Sequence, residues 1–361
     1  MINIEQYGFD SFYKKEFETF KEAGFEPGRI TAEHKERYNV ITGQGEITGE
    51  VTGRFLYDTD ASSDFPKTGD WVAVTCFAED KKCIIHNLLK RRSQFSRGQS
   101  GKETGSQVIA ANIDYIFIVQ SFNSDFNLNR IERYIVMAEE GNCMPVIIIN
   151  KNDLTDNPEP YIDSVRKRLK NIHLFSISCE TGNGLDELKE FIKTGKTYAL
   201  AGSSGVGKSS IINLLMNHTL QKTAEIRVSD GRGKHTTTRR ELFLLPGGGI
   251  IIDTPGMREF SIRNSDVAGS DIYSDISKIA AGCRYKDCSH THEAGCAVKE
   301  ALENGIITEG HLENYFKLKK ESDYLDSLID KNIYLERKKK EKELHRIIKR
   351  YYKDGNSKGN I

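Results

Sequence analysis

The chain has 361 residues, 37% of them hydrophobic and 29% charged, and its 52 basic and 52 acidic side chains cancel to zero net charge. That length predicts two or three globular domains, and the zero balance excludes a global field for nucleic acid, so any such contact must come from local patches. Apolar runs of about five residues fall far short of the twenty or so that span a bilayer, and Met1 to Glu22 is charged throughout, so a cytoplasmic protein with no secretory leader and no membrane segment is expected.

Residues 1–24 read as a short helical extension packed on a neighbouring β-barrel. Strand patterns recur at 29–32, 38–42, 46–52, 71–75 and 83–88, mostly joined by short polar turns, with Gly49 marking a bend. Five strands in so short a span predict a small closed OB-like β-barrel over 25–95. Barrels of this kind often bind nucleic acid, and the chain leaves this one through Lys90-Arg91-Arg92 and Arg97. The plainer alternative is a structural barrel with a solvated, charged exit.

The segment 96–264 carries the chemistry and predicts an α/β phosphate-loop domain. Asn150-Lys151-Asn152-Asp153 follows the buried strand pattern 145–149. In a guanine site the Asp153 carboxylate accepts from N1–H and N2–H₂; adenine lacks that donor pair and would leave the carboxylate unpaired, at a cost of roughly 1–3 kcal/mol. Asn150 and Lys151 support the base and the phosphate-loop backbone. Ser176-Ile177-Ser178-Cys179 resembles the weak fifth motif of such domains, with Ser178 and the Cys179 backbone backing base recognition.

The phosphate loop comes after these motifs: Gly202-Ser203-Ser204-Gly205-Val206-Gly207-Lys208-Ser209-Ser210 fits G-x-x-x-x-G-K-[ST] between a strand pattern at 197–201 and a helix pattern from 210. The glycines let backbone N–H groups point at phosphate oxygens, Lys208 reaches the β- and γ-phosphates, and the Ser209 hydroxyl ligates Mg²⁺. Asp253-Thr254-Pro255-Gly256 follows the apolar run 249–252, so Asp253 is expected to hold Mg²⁺ through water and the Gly256 N–H to sense the γ-phosphate. The polar stretch 227–240, with three consecutive threonines at 236–238, is expected to order around Mg²⁺ and the γ-phosphate as a switch, Thr237 being the first choice of ligand. Met257 stands where many GTPases carry the glutamine that orients the attacking water, and His235, the imidazole of the switch stretch, is the candidate to replace it. Base motif before phosphate loop is the reverse of the usual GTPase order, which predicts a circularly permuted domain.

From 265 to 361 a zinc-binding α-helical domain is expected. Cys283, Cys288, His290 and Cys296 offer three thiolates and an imidazole for one structural Zn²⁺, with a tight turn needed between Cys288 and His290 and His292 as the reserve ligand. Seven cysteines are an odd number, and nothing suggests export, so a disulfide framework is disfavoured and Cys76, Cys83, Cys143 and Cys179 read as buried or incidental thiols. Helical periodicity appears at 297–302 and 315–330, and a basic helix at 336–353 makes RNA contact a stronger reading than a merely solvated tail.

This layout resembles the RsgA/YjeQ family of small-ribosomal-subunit-dependent, circularly permuted GTPases. The resemblance covers nearly the full chain and rests on the OB-like region, the motifs at 150–153, 202–210 and 253–256, Gly-Arg-Gly-Lys-His-Thr-Thr-Thr at 231–238, and the Cys/Cys/His/Cys set at 283–296. It implies hydrolysis of GTP to GDP stimulated by the 30S subunit, a role in late maturation of that subunit, and contact with 16S rRNA by a monomer. The charged N-terminus and the basic tail depart from the pattern. A second reading is an rRNA-binding module that senses GTP or guanine alarmones, with hydrolysis incidental; Met257 favours it, while His235 and the intact switch motifs favour the enzyme.

Overall fold

The structure, a computed structural model, describes residues 1–34, 37–58, 64–77, 79–98, 106–123, 126–217, 240–254 and 267–324, together with 327, 331 and 335. The chain opens with a 3₁₀ turn at Ile4–Tyr7 and two short helices, α1 (Ser11–Glu16) and α2 (Glu18–Glu22), where the sequence suggests one helix. Asp10 starts α1 by accepting from the N–H groups of Phe12 (3.1 Å) and Tyr13 (3.3 Å). Phe9, Tyr13 and Phe17 then bury themselves against Trp71, with the Phe9 and Trp71 rings 4.8 Å apart.

Five strands form the barrel: β1 (Glu26–Glu33), β2 (Tyr38–Thr42), β3 (Gly45–Val51), β4 (Trp71–Phe77) and β5 (Lys82–Leu88). They close in the circuit β1–β2–β3–β5–β4–β1, with β3 and β5 parallel and the other pairs antiparallel. Ile30, Val40, Ile47, Val72, Val74 and Ile85 fill the interior. Gly49 is required by that packing: a Cβ there would lie 2.8 Å from Val40 and 3.0 Å from the Cys83 sulfur. The helix α3 (Gly53–Asp58) sits between β3 and β4 and has no counterpart in the strand-only reading of this region.

A hairpin of β6 (Gln94–Gly98) and β7 (Ser106–Ala111) leads to the α/β unit. That unit runs β8 (Tyr115–Ser121), α4 (Leu128–Glu140), β9 (Met144–Asn150), α5 (Glu159–Arg168), β10 (His173–Ser176), α6 (Leu185–Phe191), β11 (Thr197–Ala201), α7 (Lys208–Leu215), β12 (Glu241–Leu244) and β13 (Ile250–Asp253). The spatial order is β10–β9–β8–β11–β13–β12, all parallel except β12. Apolar side chains cover both faces, which is what a parallel sheet needs. A chain starting at β11 and passing through β12 and β13 before β8, β9 and β10 would trace the same sheet. Here the link from β10 through α6 to β11 joins the halves, so the rotated motif order is a circular permutation in space as well.

Barrel and α/β unit share one sheet. β1 pairs with β12 at Ala32 and Glu241, which among the described residues makes eleven continuous strands. The seam is held by Arg29, a fully buried guanidinium that donates to the carbonyls of Tyr7, Gly69 (3.1 Å) and Asn112 (3.2 Å) and to the Thr197 hydroxyl (3.0 Å). The chain ends, among described residues, in α8 (Ser274–Ala280), α9 (Ala297–Glu303) and α10 (309–324), whose Ile276, Val298, Leu312 and Tyr315 join the apolar core of the α4 face. The basic stretch 336–353 lies outside the described residues. No helix among those described is long and apolar enough to cross a membrane.

Candidate nucleotide site and metal centre

The buried strand β11 ends directly in the phosphate loop, at the carboxyl edge of the sheet, where ligands of open α/β folds bind. Gly202, Gly205 and Gly207 all take positive φ (149°, 85° and 101°), so the residues that make the motif glycine-rich are those whose backbone demands it. Gly207 is doubly constrained, because a Cβ there would stand 2.1 Å from the Asn150 amide nitrogen. It also begins α7, where no side chain caps the helix, leaving its first N–H groups to face an anion. Lys208 is buried and folds over the loop, its ammonium donating to the carbonyls of Gly202 (2.8 Å) and Ser203 (2.6 Å). Burial lowers its pKa to about 8 against the opposing charge of Asp253. A phosphate beside it would restore the charged form.

The base motif is tied to this loop by side chains. Asn150, at the end of β9, donates from Nδ2 to the Val206 carbonyl (2.9 Å), and its Oδ1 accepts from the Cys179 N–H (3.2 Å). Lys151 adopts a left-handed backbone (φ 66°) and reaches the Gly205 carbonyl at 2.7 Å. The buried Ser178 hydroxyl donates to Asp153 Oδ1, while its oxygen accepts from the N–H groups of Glu180 (3.2 Å) and Thr181 (3.1 Å). Asp153 itself is exposed at the rim, with its carboxylate oriented by Ser178. Burial raises the Cys179 thiol to about 11, against a hydrogen bond with the Asn150 side chain that lowers it, so Cys179 meets Asn150 through both its backbone and its sulfur.

Asp253, buried at the end of β13, lies on the neighbouring strand of β11, and the Thr254 hydroxyl donates to the Leu200 carbonyl. Ser209 and Ser210 follow Lys208 in the first turn of α7, and Ser204 lies on the exposed crest of the loop. The structure therefore gathers Asn150, Lys151, Asp153, Ser178, Cys179, the loop 202–210 and Asp253 around one sheet edge. His235, Thr237, Gly256 and Met257 lie outside the described residues. One contact escaped sequence reasoning: Arg130 of α4 donates to the Ser203 hydroxyl at 2.8 Å.

The second cluster also forms. The donor atoms of Cys283, Cys288, His290 and Cys296 all lie within 4.8 Å of one another. Cys283 and Cys296 sulfurs are 3.9 Å apart, and each is 3.5 Å from His290 Nδ1. A tetrahedron with Zn–S near 2.3 Å and Zn–N near 2.0 Å has edges of about 3.5–3.8 Å, so the donors fit zinc. The tight turn expected between Cys288 and His290 is made by a left-handed His290 (φ 60°). His292 instead bonds through Nδ1 to the Thr291 hydroxyl (2.8 Å).

Comparison with known proteins agrees with this geometry. The family model described as RsgA GTPase matches residues 88–263, and one described as 50S ribosome-binding GTPase matches 197–357. The small ribosomal subunit biogenesis GTPase RsgA 2 of Lactiplantibacillus plantarum is 40% identical over 323 residues, covering 90% of either chain. The small ribosomal subunit biogenesis GTPase RsgA of Leptospira interrogans is 37% identical over 354 residues, 97% of either chain. Among solved structures, YjeQ from Thermotoga maritima superposes with a TM-score of 0.61 at 27% identity, covering 84% of this chain and 99% of its own. YloQ, described as a circularly permuted GTPase, shares the fold with a TM-score of 0.60 at 21% identity. With a base motif wired to a phosphate loop in rotated order and relatives matching along nearly its whole length, this chain belongs to the RsgA GTPase family and is a circularly permuted GTP hydrolase.

Proposed function

We propose that the chain acts on the small (30S) ribosomal subunit during its late maturation, contacting 16S rRNA as a cytoplasmic monomer and hydrolysing GTP to GDP and phosphate under stimulation by that subunit. The observation that carries this reading is the coverage of 90% or more by relatives whose names specify small-subunit biogenesis. The match to a family named for 50S binding spans 197–357, less than half of the chain, whereas the relatives named for small-subunit biogenesis cover 90% or more of it.

In this reading Asp153 selects guanine, Asn150, Lys151, Ser178 and the Cys179 N–H hold its frame, and the backbone from Gly202 to Ser210 cradles the phosphates with Lys208. Ser209, Asp253 and Thr237 hold Mg²⁺, which neutralises charge on the transferring phosphoryl group. Gly256 senses the γ-phosphate, and His235 positions the water that attacks it. Cys283, Cys288, His290 and Cys296 hold one structural Zn²⁺. The accompanying division is an N-terminal extension (1–24), a barrel (25–95), the permuted GTPase domain (96–264) and the zinc-binding helical domain (265–361). Phe95 packs into the core beneath α4, which favours a junction just ahead of β6.

The test is GTP turnover alone, with purified small subunits and with purified large subunits. A rise of about tenfold or more with small subunits only is expected, since ordering a water-positioning group contributes roughly that much or more. No change with small subunits sinks the reading and leaves the GTP- or alarmone-sensing RNA binder, which Met257 in the glutamine position favours. A rise confined to large subunits would reassign the partner.

A further inference from the structure

Within its first turns, α4 meets both the phosphate loop and the C-terminal helices. At its start, Asn127 caps the helix by accepting from the Arg130 N–H (3.0 Å), and the Arg130 guanidinium reaches the Ser203 hydroxyl at 2.8 Å. Lys208 bonds the carbonyl of the same Ser203 at 2.6 Å. The residue that opens the loop's crest is thus held by one cation on its backbone and another on its side chain. Two residues along, Glu132 is fully buried and is the hub of a polar cluster. It accepts from Arg168 of α5 (2.6 Å to each oxygen), His311 (2.6 Å) and Asn314 (2.5 Å) of α10, and the Tyr273 hydroxyl (3.2 Å). The next residue, Arg133, makes a two-pronged pair with Glu321 of α10 at 2.7 and 2.6 Å.

We propose that Arg130 is a positioning residue for GTP hydrolysis, acting on the phosphate loop through Ser203, and that the docked C-terminal helices set its place through α4. This rests on the chain being a GTP hydrolase and not on which ribosomal subunit it serves. A helix rises about 1.5 Å per residue and is held by its own backbone bonds. Between Arg130 and Arg133 there is consequently only about one turn, without a loop to absorb movement. Residues three apart also share a face, so Arg130 and Arg133 project from the same side of α4 toward the loop and toward α10. Glu132, on another side, ties the same turn to α5 and α10. A shift of α10 is therefore a shift of Arg130. The route is independent of the covalent connection through 255–266.

The experiment uses the full-length chain without ribosomes and compares Arg130→Ala, Arg130→Lys, Ser203→Ala and the double variant Arg130→Ala/Ser203→Ala. Single-turnover GTP hydrolysis, KM and fluorescent-GDP affinity are read for each, with the melting temperature as a check on folding. Misplacing reacting groups by an ångström costs up to about a hundredfold, so Arg130→Ala is expected to lower kcat about tenfold or more while KM moves less than about threefold. Ser203→Ala should give most of the same loss, the double variant should be no slower, and Arg130→Lys should recover part of the rate. If Ser203→Ala is unaffected while Arg130→Ala is slow, Arg130 touches the nucleotide directly and the positioning role is wrong.

Arg133→Ala, whose partner Glu321 is far along α10, tests the second half. A fall in kcat of about threefold that is not additive with Ser203→Ala is expected if the two ends of this turn are coupled. Unchanged kinetics, or strict additivity, overturns the link. Absence of hydrolysis by the unmutated chain would instead be a failure of the underlying enzyme reading, which these comparisons keep separate.

Discussion

His311 and Glu132 are separated by 179 residues of chain, yet imidazole and carboxylate meet at 2.6 Å in the interior. The other imidazole nitrogen lies 3.4 Å from Asp275. Arg168 and His311 bring positive charge to the fully buried Glu132, and Asp275, at the half-exposed edge of the cluster, faces the other side of His311, so the C-terminal helices dock with Glu132 paired. Removing one member of such a set is far costlier than replacing all of it by apolar side chains. Glu132→Ala should destabilise the docking by about 3–5 kcal/mol, because Arg168 and His311 are left facing each other in the interior. Glu132→Gln should cost less, since it keeps the volume and an acceptor. Hydrogen exchange of the α10 amides measures this, and protection equal to the parent in Glu132→Ala would refute it.

The same pair gives a pH dependence of definite sign. Burial opposes the imidazolium, but the hydrogen bonds and charges of Asp275 and Glu132 overcome it and raise the His311 pKa from 6.5 to about 9. A group whose folded pKa is raised contributes fully below its unfolded pKa, and its contribution fades as pH climbs through the folded value. Docking should therefore be strongest below about pH 6.5 and weaken toward and beyond pH 9. His311→Gln should flatten the difference in α10 protection between pH 6.5 and 9.5; an unchanged slope would place the titration elsewhere.

Chemistry that fixes both residue type and spacing was legible in the sequence. The phosphate loop, the base motif and the four metal donors all meet as their spacing suggests, since glycine at positive φ or thiols around one ion leave few alternatives. The five barrel strands were legible as short strand patterns separated by polar turns. What stayed hidden depends on partners far away in the chain. Glu132 stands in Arg130-Ile131-Glu132-Arg133 and reads there as an ordinary surface charge, although α4 is buried on most sides. Arg29 reads as one more strand residue, yet it holds the barrel to Asn112 and Thr197. The pairing of Ala32 with Glu241 joins two units through a single residue pair, for which no local pattern exists.

Gly207→Ala should separate the phosphate loop from the base motif. The backbone there has φ 101°, which costs an alanine on the order of 1–2 kcal/mol. Its methyl would also displace the Asn150 amide and break the bond to Val206. Together these should weaken nucleotide binding by about 2–4 kcal/mol, roughly thirty- to a thousandfold in Kd. Gly247→Ala, where nothing lies within 4 Å of the new methyl, is the neutral comparison. Fluorescent-GDP titration of the two variants decides the matter, and equal affinities would mean that Asn150 does not support the loop.

Base selection can be tested by inverting one donor. Asp153→Asn keeps an oxygen for the Ser178 hydroxyl but turns an amide toward guanine, where donor meets donor. GDP affinity should fall roughly ten- to a hundredfold, the value of one or two lost charge-assisted bonds. Xanthine carries an oxygen where guanine carries its amino group, so the same variant should bind xanthosine diphosphate better than the parent does. A variant that loses GDP without gaining the xanthine nucleotide would argue against direct contact of Asp153 with the base.

The metal centre makes the sharpest distinction between neighbouring imidazoles. His290 Nδ1 is 3.5 Å from two cysteine sulfurs, whereas His292 is engaged with Thr291. Elemental analysis of the purified chain should find one zinc, retained by His292→Ala and lost or greatly weakened in His290→Ala and Cys296→Ser. Cys296 also begins α9, and Cys283 and Cys288 pack against the core that α9 joins. Removing the ion returns protons to the cysteine sulfurs and loses the bonds that tie the four residues together, so structural zinc contributes folding energy outright. Chelation should therefore increase hydrogen exchange over 283–303 first. Among the described residues none of the four donors bonds the phosphate loop or the base motif, so GDP affinity should change less than about threefold, in line with the additivity of distant sites. Equal zinc loss from His292→Ala and His290→Ala would show that the wrong imidazole has been assigned, and a parallel loss of GDP binding would show that the two sites are coupled more tightly than this geometry allows.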